Sequence, residues 1–71
     1  MIREGTEVRW KWGEGYASGT VQEKVQESKT IQSQGNSVTR DGSEENPALV
    51  IKSEDGSKVL KLESEVQRSD Q

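Results

Sequence analysis

Cysteine, histidine and phenylalanine are absent from these 71 residues, and proline occurs once. Without cysteine there is no disulfide staple, and nothing points to an oxidising compartment. Without cysteine or histidine the common zinc ligand sets cannot be built, and triads that use histidine as base are excluded. The acidic pairs Glu44-Glu45 and Glu54-Asp55 lack the spacing of a calcium loop. No metal and no cofactor is expected. Only 27% of the residues are apolar, and no apolar run approaches the roughly 18 residues of a membrane span. Met1 to Gly5 contains no apolar core of a secretory signal. The expectation is a soluble, cytoplasmic protein.

Ten basic residues against 13 acidic ones give a net charge of −3. That balance argues against a dedicated nucleic-acid binder, whose affinity rests on neutralising phosphates. It leaves room for a local basic face. A chain of this length makes one domain. Its few apolar side chains give a core worth a few kcal/mol at most. Such a core has no room for a buried catalytic cleft, so an enzyme is not expected.

What the chain does contain is alternation. Thr6, Val8, Trp10 and Trp12 alternate with Glu7, Arg9 and Lys11, the pattern of a half-buried strand. Gly13 to Tyr16 reads as a four-residue turn. Ala17, Gly19, Val21 and Val25 then mark a second strand on odd positions. This loop length sets Trp12 opposite Ala17, Trp10 opposite Gly19 and Val8 opposite Val21, and the apolar sides coincide. Residues 26–37 are polar apart from Ile31. They read as a long loop or a short irregular strand around Thr30–Gln32, with a turn at Gly35-Asn36. Val38 to Arg40 reads as a short strand. Asp41 to Asn46 is rich in turn formers, and Pro47 closes it.

Residues 48–53 and 57–62 flank Asp55-Gly56, a two-residue hairpin signal. That loop sets Ile51 opposite Leu60, Leu49 opposite Leu62 and Val50 opposite Lys61, leaving one face wholly aliphatic. A slip by one residue would oppose Leu49 to Lys61, so the two-residue register is preferred. Leu62 to Val66 reads as a helical or 3₁₀ turn that drops Val66 onto the end of the fold. Residues 67–71 read as a flexible tail. About five short strands at regular spacing indicate a small all-β barrel or sandwich. The expected core is Val8, Trp10, Val21, Leu49, Ile51, Leu60 and Leu62, helped by Val25 and Val66.

Several short pieces follow one another in order: Gly5, Val8 and Trp10, then Gly19-Thr20-Val21, then Ser43-Glu44-Glu45-Asn46-Pro47. Leu49-Val50-Ile51-Lys52-Ser53 and Gly56-Ser57-Lys58 complete the set. In this order they resemble the hypervirulence-associated protein Tudor domain family over roughly residues 3–66. The resemblance implies a Tudor-like fold, and with it a small five-stranded SH3-like barrel with short loops and one C-terminal 3₁₀ turn. It implies one domain over residues 1–66 and no settled biochemical activity.

The only aromatics are Trp10, Trp12 and Tyr16. Alternation assigns Trp10 to the core. Trp12 and Tyr16 flank the first turn, where a barrel rim would expose them, either as a contact site or as a cap. Tudor-type modules can hold methylated lysine or arginine in an aromatic cage by cation–π attraction, but two rings make a thin cage. Arg9 and Lys11 share the other side of the first strand. With Lys24, Lys52, Lys58 and Lys61 they either form a basic stripe or simply solvate the strands. The candidate ligand-binding residues are therefore Trp12, Tyr16, Arg9 and Lys11. The expected function is a non-catalytic interaction module, monomeric or weakly self-associating, that binds a protein or peptide segment at the rim or along an open strand edge. The alternative is nucleic-acid binding through the basic face with aromatic stacking.

Overall fold

The computed structural model describes residues 2–33 and 35–69. It is all-β, with seven strands rather than five: β1 Glu7–Trp12, β2 Gly15–Val25, β3 Ser28–Ser33, β4 Asn36–Asp41, β5 Ala48–Ser53, β6 Lys58–Leu62 and β7 Gln67–Arg68. A 3₁₀ turn, Glu63–Glu65, separates the last two. Five strands form one sheet in the order β6-β5-β2-β1-β7, and β3 and β4 form a separate hairpin. No helix among the described residues is long and apolar enough to cross a membrane.

Barrel closure is not found among the described residues. The outer strands β6 and β7 are not joined by a ladder. The reasons lie in two segments. β7 has only two residues and pairs with Val8 and Arg9 alone. Residues 28–41 pair with each other, from Ser28 opposite Asp41 to Ser33 opposite Asn36, and so form one hairpin in a second layer, in place of the loop or short irregular strand expected over 26–37 and the separate short strand expected at Val38 to Arg40. Gly35, with φ +82°, helps turn this hairpin. The Gln67–Arg68 pairing ties down part of the segment assigned to a tail, and Ser69 donates its N–H to the Glu7 carbonyl. Residues 70 and 71 lie outside the described residues.

Two registers differ from those expected. β1 and β2 are joined by Gly13-Glu14 alone, because Gly13 adopts φ +58° and allows a tight turn. Trp10 therefore faces Ala17, Val8 faces Gly19 and Trp12 faces Gly15. The shift is two residues, so every side chain keeps its predicted face. The β5–β6 pairing is slipped by one residue from the expected register: Leu49 opposes Lys61, Val50 opposes Leu60 and Ile51 opposes Val59. Its loop is longer because Gly56 takes φ +92° after a turn closed by its N–H to the Ser53 carbonyl. The Asp55 carboxylate accepts both the Ser57 N–H at 2.9 Å and the Ser57 hydroxyl at 2.6 Å, which locks that geometry.

The underlying reason is that β5 has no solvent side along its first four residues. Ala48, Leu49, Val50 and Ile51 are all buried. One face joins Ile2, Val8, Trp10, Val21, Leu49, Ile51 and Val66 in the main core. The other joins Ala48, Val50 and Leu60 to Ile31 from the β3–β4 hairpin, with Val38 and Leu62 packed alongside. A bulge between Val21 and Glu23 shifts the β2–β5 register. It turns the end of β2 over, so that Val25 pairs with Ala48 instead of sharing the face of Val21. Ile2, Ile31, Ala48 and Val50 are core residues that alternation did not identify.

The Ser43–Pro47 segment is an anchor. The Asn46 side chain donates to the Ser64 hydroxyl at 3.0 Å and accepts the Ser64 N–H at 2.9 Å. The Glu63 N–H donates to the Pro47 carbonyl. These bonds fix the 3₁₀ turn and seat Val66 in the core, as the sequence indicated for Val66. Glu65 completes the turn by accepting the Leu62 N–H at 2.8 Å and the Arg40 guanidinium at 3.3 Å. Burial pushes its carboxyl upward, but the Leu62 and Arg40 bonds outweigh this and hold it below the usual glutamate value. Its stabilising contribution is therefore complete above about pH 4.3, the ordinary value, and is lost as pH falls through the lower folded value. Glu65→Gln should melt below the parent at neutral pH, and the gap should close on acidification to pH 3. Melting curves from pH 3 to 7 measure it.

Candidate functional site

Alternation along β1 sends its side chains to two sides. Trp10 and Trp12 share a face with Ala17 and Gly15, whereas Arg9 and Lys11 share the other with Ser18 and Tyr16. Trp12 and Tyr16 are both solvent-exposed, at 72% and 62%. They lie near one turn yet on opposite sides of the sheet, so they do not form a common cage.

On the Tyr16 side the Arg9 guanidinium carbon lies 5.4 Å from the Tyr16 ring centroid, within cation–π range. Lys11 stands directly across from Tyr16. These three of the four candidate residues are brought together. Lys52 follows on the same side, opposite Thr20.

Trp12 belongs to a different feature, a groove of about 340 Å³. Trp10 and Ala17 line it from β1 and β2, and Trp12 stands beside them. Asp55 and Ser57 contribute from the β5–β6 turn, Lys58 to Lys61 from β6, and Val38 and Arg40 from β4. Its floor is apolar because Trp10 is only 4% exposed and Val59 is packed against the main core. The cations Arg40, Lys58 and Lys61 line it with one anion, Asp55. Arg40 is committed to Glu65, which leaves a local balance of 2 − 1 = +1 on a chain of net −3. Lys58 and Lys61 make no ion pair among the described residues.

The nearby strand edge is covered. The backbone bond from Ser53 to Ser57 sets the alternation, so Lys58, Leu60 and Leu62 direct their N–H and C=O groups away from β5. The Ser33 hydroxyl donates to the Lys58 carbonyl at 2.7 Å, the Leu62 N–H donates to Glu65, and Leu60 is buried. Side chains thus occupy the β6 edge, one way of protecting an edge from unwanted strand addition.

Sequence reasoning missed Arg40, Lys61 and the β5–β6 turn as lining of the Trp12 groove; Arg40 reaches it because the β3–β4 hairpin packs against β6. The available signal was Ile31 and Val38, two apolar residues flanking Gly35 at hairpin spacing.

Among the described residues no group of three or more acidic side chains is placed to hold a metal ion. Asp55 is held below the usual aspartate value by the Ser57 hydroxyl and N–H.

A family model described as "Hypervirulence associated proteins TUDOR domain" matches residues 5–66. No match was found among curated proteins or among solved structures.

Proposed function

The chain belongs to the Tudor domain family of hypervirulence-associated proteins, and on that footing we propose that it is a non-catalytic module that binds a protein segment in the Trp12 groove. The observation that carries this reading is the exposed Trp12 beside an apolar floor and cations from two strands, β4 and β6. An exposed aromatic ring next to a desolvated floor is a common anchor of a protein contact. The covered β6 edge favours side-chain capture over strand addition there. The protein acts in the cytoplasm as a monomer or weak self-associator, without a cofactor.

A second reading has its own observation. Arg9 stacked on Tyr16, with Lys11 and Lys52 on the same side, fits the phosphates and bases of a single-stranded nucleic acid.

Paired substitutions separate the two. Trp12→Ala should leave stability within about 0.5 kcal/mol of the parent, as for an exposed surface position, and abolish peptide binding. Tyr16→Ala should leave peptide binding intact. The assay is fluorescence anisotropy against a panel of labelled peptides and a single-stranded thymidine oligonucleotide. Binding of the oligonucleotide alone, lost in Tyr16→Ala and steeply weakened by salt, would replace the first reading with the second.

A further inference from the structure

We infer that the segment held in the Trp12 groove is acidic and carries aliphatic side chains between its carboxylates; this rests on the groove being the binding site. Two observations lead there. First, Lys58 and Lys61 line a groove on a chain whose net charge is −3, with Asp55 as the one anion lining it, while Arg40, which lines it too, is paired with Glu65; the local excess is positive where the floor is apolar. Second, Lys58 and Lys61 make no ion pair among the described residues, unlike Lys29 with Glu23 and Arg40 with Glu65. Lys61 acts on Glu65 only at longer range, and the Lys58 ammonium is available to a ligand.

The floor decides between anionic ligands. Trp10, Val38 and Val59 offer apolar surface to aliphatic side chains. A nucleic acid would need rings on which to stack its bases, and Trp12 is the one exposed large aromatic on this side, with Tyr16 on the other. An extended peptide alternating glutamate with valine presents carboxylates and aliphatic groups in the required proportion. Seven such residues span about 23 Å at ~3.3 Å each, within the 28 Å second dimension of the molecule.

The test uses three seven-residue peptides, alternating valine with glutamate, glutamine or lysine, titrated into ¹⁵N-labelled full-length protein. The glutamate peptide should shift the Trp12 indole and the Lys58–Lys61 amides. It should bind about fivefold or more tighter than the glutamine peptide at low salt, the sum of a few partly exposed ion pairs, and that advantage should shrink as salt is added. The double substitution Lys58→Glu with Lys61→Glu alters surface groups, and its spectrum reports whether the fold is kept. It should reverse the order in favour of the lysine peptide. Equal binding of all three peptides in the groove would overturn the acidic preference while sustaining the groove as a peptide site. Shifts with none of them, or a thymidine oligonucleotide binding the groove more tightly than the glutamate peptide, would overturn both.

Discussion

Gly19→Ala is expected to cost at least about 2 kcal/mol of stability, the scale of a forced overpacking, and so a large part of what a domain of this size has. Gly19 sits in the middle of β2, paired with Val8 on one side and Ser53 on the other. A Cβ built there would collide with the Lys52 carbonyl oxygen and come within 2.8 Å of Ile51 Cγ2. The Lys52 carbonyl is main chain of the neighbouring strand and cannot swing aside. Ile51 is fully buried, so its methyl has nowhere to go. Gly15→Ala is the control: nothing lies within 4 Å of its would-be Cβ and its backbone is not left-handed. Urea unfolding followed by tryptophan fluorescence should show a sharply lower midpoint for Gly19→Ala and an almost unchanged one for Gly15→Ala.

Val50→Asp is expected to unfold the protein. Val50 is 5% exposed and packs with Ala48, Leu60 and Ile31 beneath the β3–β4 hairpin. A carboxylate there would lose its hydration with no cation directly across, because Leu60 occupies the opposing position. The cost is several kcal/mol, comparable with the whole stability. The substitution also discriminates between the two registers of β5 and β6. With Val50 opposite Lys61, an aspartate would meet a lysine and be tolerated. Circular dichroism and the dispersion of the amide spectrum report the outcome, with Ile51→Asp as the matched substitution on the other face.

These residues also show what the sequence made legible. Alternation in Thr6–Trp12 placed Val8 and Trp10 in the core and Trp12 at an exposed end, because β1 buries one face and hydrates the other. The same logic failed for β5. A strand with both faces buried gives alternation nothing to lock onto, and the aliphatic run Ala48–Ile51 fits either register. The β5–β6 turn then decided, through the left-handed Gly56 and the Asp55–Ser57 bonds. The Gln22 bulge was also invisible, since an inserted residue leaves no compositional mark. Residues 26–37 read as a loop or a short irregular strand, and not as one arm of a hairpin with Val38–Arg40, because the outer side of 28–41 is Ser, Thr and Gln. Those groups satisfy each other, with Thr30 and Thr39 hydroxyls 2.7 Å apart and Gln32 donating to Ser37 at 3.0 Å. Of the candidate site, the exposure of Trp12 and Tyr16 was readable. Their separation onto opposite sides follows from odd and even positions across a two-residue turn, and it needed the correct register. Arg40 and Lys61 came to line the Trp12 groove only through tertiary folding.

The most direct measurement is an amide and indole shift map of the labelled protein against the glutamate–valine peptide, read on both sides of the sheet. The account predicts saturable shifts of the Trp12 indole and of residues Asp55 to Lys61, with Arg9, Lys11 and Tyr16 unmoved. Shifts centred on Arg9, Lys11 and Tyr16, with the Trp12 indole still, would contradict it.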